Sequence, residues 1–105
     1  MSNKDNSIIF TVRDPMGVTV TFYTEQWSHI QNRHPEIRTV GKIRSGAQNP
    51  DLILLDEERN TRIYSTISPT SLCFNVFTRI VSETECIIKT SYISPLPEGD
   101  CIWRR

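Results

Sequence analysis

The sequence predicts an α+β domain: an N-terminal hairpin and a helical pair packed on one face of an antiparallel sheet of about four to six strands. Three observations lead there. Two short β-branched and aromatic segments flank a proline–glycine turn near the N-terminus. Over residues 24–34 the apolar period changes to three and four. After Asn49-Pro50 the remaining apolar runs are short and separated by turn residues, which is strand patterning.

The elements follow in order. Residues 7–13 read as a strand through Ile8, Ile9, Phe10 and Val12. Asp14-Pro15-Met16-Gly17 is turn chemistry, because proline pre-sets one dihedral and glycine accepts a positive one. Residues 18–23 return as the second strand of a hairpin. Thr24 is placed to cap a helix, with Glu25 suiting the positive end of its dipole. Tyr23, Trp27, Ile30 and His34 form its apolar stripe, and Pro35 stops it. A weaker helix is expected over residues 39–48, with Val40, Ile43 and Ala47 inward; Gly41 and Gly46 each cost it up to about 1 kcal/mol relative to alanine. Strands are then expected over residues 51–55, 62–68, 72–81 and 85–94. A last edge contact is expected from Cys101, Ile102 and Trp103.

A chain of 105 residues with 37% hydrophobic and 23% charged residues has the make-up of one globular domain. A single domain is expected over residues 1–105, with residues 1–6 flexible. The three cysteines, Cys73, Cys86 and Cys101, form no CxxC pair, and their odd number argues against a disulfide framework and a zinc site. Reduced thiols, a polar N-terminus and the lack of a long apolar run lead to the expectation of a cytoplasmic protein with no membrane partner. Net charge is zero but unevenly spread: Arg33, Arg38, Lys42 and Arg44 face only Glu36, whereas Asp51, Asp56, Glu57 and Glu58 meet no base. That arrangement reads either as an anion-binding face beside a partner-facing edge or as two solvated surfaces.

Chemistry concentrates in two segments. His29 and Arg33 stand four apart and share a helix face away from the Trp27–Ile30 stripe. Imidazole titrates near neutrality and guanidinium grips phosphate, so the pair suits acid/base work beside a phosphate; two exposed polar residues would look the same. His34 lies on the apolar stripe, where spacing alone favours a structural role at the helix end. In the strand over residues 85–94, strict alternation puts Cys86, Ile88, Thr90, Tyr92 and Ser94 on one face and Ile87, Lys89, Ser91 and Ile93 on the other. Thr90 and Tyr92 would offer hydroxyls to a scissile phosphate, with Lys89 and Ser91 as the opposite-face alternative. Arg79 would add positive charge if its register brings it alongside. Trp27 or Trp103 would stack on a base if exposed, burial being the better reading for Trp27. There is no phosphate-binding glycine loop, acidic metal cluster or nucleophile elbow, which disfavours hydrolysis assisted by Mg²⁺ or Zn²⁺ and calls for no cofactor.

The string from Thr24 to Glu36, with Trp27, His29, Ile30, Arg33, His34, Pro35 and Glu36 at its centre, resembles a block of the phage-type barnase–EndoU–colicin E5–RelE-like nuclease superfamily. Asn49-Pro50-Asp51 opening a strand, Lys89-Thr90-Ser91-Tyr92 in the last long strand and a late Gly99…Trp103 follow in the same order. The resemblance implies helices followed by an antiparallel sheet of about four strands. It also implies a metal-independent endoribonuclease, typically a toxin restrained by an antitoxin or immunity protein. Carried over residue by residue, it suggests His29, Arg33, His34, Thr90 and Tyr92 as catalytic residues. The substrate would be RNA met as a single strand or loop, with Arg79, Lys89 and Trp103 as candidate substrate contacts. Two rival readings are a non-catalytic protein-interaction module, relying on the acidic turn at Asp56–Glu58 and an edge strand, and an enzyme for a small phosphorylated ligand.

Overall fold

The computed structural model describes residues 6–105. The flexible stretch expected over residues 1–6 lies outside them except for Asn6, whose Oδ1 accepts the Glu25 N–H at 3.2 Å. The order of elements is β1 (Ile8–Arg13), β2 (Thr19–Tyr23), α1 (Thr24–Arg33), α2 (Val40–Gln48), β3 (Leu52–Asp56), β4 (Thr61–Ile67), β5 (Cys73–Ser82), β6 (Glu85–Ser94) and β7 (Asp100–Arg104).

The hairpin forms as its turn residues dictate. Gly17 takes φ of 85°, and the Asp14 carboxylate accepts the N–H groups of Met16 and Val18 at 2.7 and 2.9 Å. At α1 one expectation is corrected. Tyr23, not Thr24, occupies the N-cap position, and no side chain of its own caps the helix. The chain before β1 takes over: Asn6 accepts from Glu25, and Thr24 Oγ1 accepts the Ser7 N–H at 3.1 Å. Helix α2 is capped as its sequence suggests, with Thr39 Oγ1 accepting the Lys42 N–H at 3.2 Å.

All strands join one sheet in the order β1-β2-β6-β5-β4-β3-β7, with the two helices packed on it. Seven strands exceed the four to six expected, and the sheet is mixed rather than antiparallel. Two long-range pairings cause the difference. The hairpin does not form a separate layer; β2 adds itself to β6 in parallel through Thr19–Thr21 and Glu85–Ile87. At the far edge β7 pairs with β3. To reach it from the end of β6, residues 95–99 cross β5, β4 and β3. That is about 19 Å at ordinary strand spacing, so this strap must run nearly extended.

The core lies between the helices and one sheet face. Ile30 of α1 and Ile43 and Ala47 of α2 meet Phe22, Ile53, Tyr64, Val76 and Ile88. Each isoleucine, valine or phenylalanine side chain buried to this degree contributes about 1.5–3 kcal/mol of transfer free energy. The hairpin turn bends over the same face, since Asp14 reaches Arg62 and Tyr64 on β4, four strands away in the sheet order. A flat sheet would hold the two backbones about 14–19 Å apart, more than these side chains span, so this one is coiled.

The two glycines of α2 are not equivalent. Gly41 has open space where a Cβ would stand, but a Cβ on Gly46 would lie 2.9 Å from Phe74 Cε2 and 3.3 Å from Val76 Cγ2. Gly46 therefore allows the helix to approach β5, and the ring edge opposite it has little freedom to yield. Gly46→Val is expected to lower the unfolding free energy by about 1–3 kcal/mol through overpacking. Gly41→Ala is expected to raise it by up to about 1 kcal/mol through helix propensity alone. Urea melts of the two variants against wild type provide the check.

Candidate active site

The sheet face away from the core carries a groove of about 470 Å³ lined by Asp56, Arg59, Thr61, Ile63, Phe77, Lys89, Thr90, Tyr92, Ser94, Pro97 and Glu98. Its floor comes from β4, β5 and β6. The strap supplies Pro97 and Glu98 as one wall. Gly99 anchors that wall with φ of 152°, at a point where a Cβ would stand 3.2 Å from both Leu54 Cβ and the Leu55 carbonyl oxygen. A side chain there would strain the backbone and force the strap or β3 to give by a few tenths of an ångström.

A β-bulge on β6 decides what enters the groove. Phe77 pairs with Thr90, but the next β5 residue, Thr78, pairs with Ile88, so Lys89 is an extra residue on β6. Strict alternation would put Cys86, Ile88, Thr90, Tyr92 and Ser94 on one face. The bulge divides them: Cys86 and Ile88 join the core, while Thr90, Tyr92 and Ser94 line the groove. It also turns Lys89 into the groove beside Thr90, and leaves Ser91 on the other face, buried and donating to the Asn75 carbonyl at 2.6 Å. Thr90 and Lys89 are thus joined rather than alternatives.

Two of the groove's lining residues are aromatic, and a third ring contacts one of them. Phe77 and Tyr92 stack at 4.6 Å between centroids, and His34 lies over Tyr92 at 4.9 Å with an interplanar angle of 30°. His34 can reach that position because β2 covers β6 only as far as Ile87, and α1 packs along β6 beyond it. The helix ends at His34, whose backbone N–H bonds the Ile30 carbonyl at 2.7 Å. The imidazole is partly exposed at 28%, with Nδ1 at 3.8 Å from the Glu36 carboxylate. That distance permits electrostatic orientation without a direct hydrogen bond.

Charges are fixed at the other side. Lys89 Nζ donates to Thr61 Oγ1 at 2.7 Å. Arg59 Nη1 donates to Asp56 Oδ2 at 2.9 Å, and this contact holds the Asp56 carboxyl below its usual range and the Arg59 guanidinium above its own. Asp56, Arg59 and Glu98 also border an adjoining depression of about 340 Å³, where Glu57, Glu58 and Asp100 add further acid.

The remaining sequence candidates lie elsewhere. His29 and Arg33 are exposed on α1 and do not line the groove. Arg79 is exposed on β5 in register with Thr61 and Ile87, adjacent to the groove but outside its lining. Trp27 is partly buried, packing edge-on to Phe22 at 6.3 Å against the core, so the burial read from its spacing is met in part. Trp103 stands opposite Ile53 on β7 and packs, partly buried, against the core, so it faces away from the groove.

Sequence reasoning missed Phe77, Thr61, Arg59 and the strap residues Pro97 and Glu98. For Phe77 a signal existed, because alternation along β5 puts it on the same face as the candidate Arg79. The others depend on register between distant strands and had none. No protein-family model, no curated protein and no solved structure matches the chain.

Proposed function

We propose that the protein is a metal-independent endoribonuclease of the toxin type and that the groove on the open sheet face is its active site. The observation that carries the reading is that Lys89, Thr90 and Tyr92 of one bulged strand line a single groove, while His34, from a helix end, stacks on the Tyr92 ring at its edge. A proton-transfer group, hydroxyl donors and a cation are what RNA cleavage by its own 2′-hydroxyl requires. In that reaction a base takes the 2′-hydroxyl proton and the 2′-oxygen bonds to phosphorus. The bond to the 5′-oxygen breaks, and an acid protonates the leaving oxygen. His34 carries the proton at one end of this exchange. Lys89 neutralises the phosphate, and Thr90 and Tyr92 hydrogen-bond its oxygens. The nucleophile belongs to the substrate, so no metal-bound hydroxide is needed. Arg79, at the groove's margin, would meet a flanking phosphate of a single strand.

Purified protein incubated with total RNA in EDTA is expected to generate new ends, 2′,3′-cyclic phosphate on one side of each cut and 5′-hydroxyl on the other. RNA that stays intact under these conditions would remove the proposal. A second reading is favoured by the acids Asp56, Glu57, Glu58, Glu98 and Asp100 beside the groove, which suit a basic protein partner. On the nuclease reading that partner is an antitoxin or immunity protein closing the groove. With intact RNA it would make the domain a binding module.

A further inference from the structure

We propose that Thr61 is a positioning residue that holds the Lys89 ammonium in the groove where a phosphate arrives; the phosphate part rests on the nuclease reading above. The chemistry of the contact fixes every proton. Thr61 Oγ1 lies 2.9 Å from the Arg59 carbonyl, which can only accept, so the hydroxyl proton points there. Both lone pairs of the hydroxyl are then turned away from its own proton, and Lys89 Nζ, which can only donate, meets them at 2.7 Å. The hydroxyl has one orientation available, and it is the one that receives the ammonium.

The carbonyl that sets this orientation is itself immobilised. Asp56 binds the Arg59 backbone N–H at 3.3 Å and its guanidinium at 2.9 Å. Asn60, at φ of 52°, bonds the Ile80 carbonyl through Nδ2 at 2.9 Å, and its own carbonyl takes the Ile80 N–H at 3.1 Å. The β3–β4 turn is thus fastened to β5, and Thr61, at 3% exposure, is the first residue beyond it. Lysine carries a flexible four-carbon stem, and on an exposed strand its ammonium would sweep a wide volume. Here the bulge aims the stem into the groove and Thr61 holds its end. One bond of the ammonium is used, which leaves two N–H donors for phosphate oxygens.

The experiment uses the full chain as wild type, Thr61→Ser, Thr61→Val, Lys89→Gln and the double variant Thr61→Val/Lys89→Gln. Nitrogen-detected NMR at low temperature reads the Lys89 ammonium directly, without any nucleic acid. A resolved signal is expected in wild type and Thr61→Ser and is expected to vanish in Thr61→Val, while amide spectra confirm that each variant folds. A persistent signal in Thr61→Val would overturn the inference. Binding of a single-stranded deoxypentanucleotide, which lacks the 2′-hydroxyl and cannot be cut, provides the second readout. Lys89→Gln is expected to weaken it by about tenfold, as loss of one charge-assisted contact does. Thr61→Val should reproduce most of that loss, and the double variant should bind no worse than Lys89→Gln, because Thr61 acts through Lys89. Additive losses would show that Thr61 is merely structural and would sink the inference alone. If the ammonium signal behaves as expected but Lys89→Gln binds like wild type, the phosphate role fails while the positioning stands.

Discussion

Asp14→Ala is expected to lower the unfolding free energy by about 3–5 kcal/mol, the scale for removing one partner of a buried ion pair. The Asp14 side chain is fully buried and its Oδ2 accepts from Arg62 Nη2 at 2.9 Å, Arg62 Nε at 3.1 Å and Tyr64 Oη at 2.7 Å. Its Oδ1 binds the two turn N–H groups. Burial pushes Tyr64 ionisation far above the ordinary phenol range, so Tyr64 remains an O–H donor to the carboxylate. Among the described residues no buried side-chain nitrogen or oxygen is left without a partner. Alanine at position 14 would leave the Arg62 guanidinium without its counter-ion, with only the Tyr64 hydroxyl at 3.0 Å from Nε and the Met16 sulfur beside it, and would loosen the hairpin turn from β4. The paired replacement Asp14→Ala/Arg62→Met should recover much of the loss, since it removes the stranded charge. Urea denaturation of both variants measures this. A single-variant loss below about 1 kcal/mol would mean that the buried pair does not secure the coil of the sheet.

The largest effect on activity is expected at His34. His34→Ala should slow RNA cleavage by about 10²–10⁴-fold, the usual contribution of a positioned acid or base. The side chain is partly exposed, so the expected stability change is small, within about 1 kcal/mol. His29→Ala, on an exposed part of α1 outside the groove, should lose far less. The comparison is made on purified variants with one labelled RNA, melting temperatures being recorded in parallel. Equal losses for the two histidines would place the reacting phosphate on the helix surface instead of the groove. No loss at His34 would leave the proposed centre without its proton-transfer group.

How much of this could be read from the residues differs element by element. The strands and helices were legible almost to the residue, because periods of two and of three to four act locally and Pro35 and Asn49-Pro50 interrupt them. The inward faces of both helices were legible as well, with Ile30, Ile43 and Ala47 buried as their spacing implies. Within the site, Thr90, Tyr92 and Lys89 were singled out, but the faces assigned to Cys86, Ile88 and Lys89 were not recovered. A one-residue bulge reverses the alternation, and nothing in the strand's own sequence marks its position. The imidazole of His34 shows a related limit. Its place on the apolar stripe argued for a packing role at the helix end, and only the tertiary structure names what it packs on, the Tyr92 ring at the groove's edge.

By itself, then, the sequence determined the kinds of element, their order and the faces the helices bury, because these follow from interactions within a turn or two of chain. Only the tertiary structure decided that the hairpin joins the sheet in parallel, that residues 95–99 cross the open face to a seventh strand, and that Thr61 meets Lys89. Those outcomes depend on register and on loop closure between residues tens of positions apart. Many strand pairings satisfy the same local pattern, and packing of the whole core chooses among them.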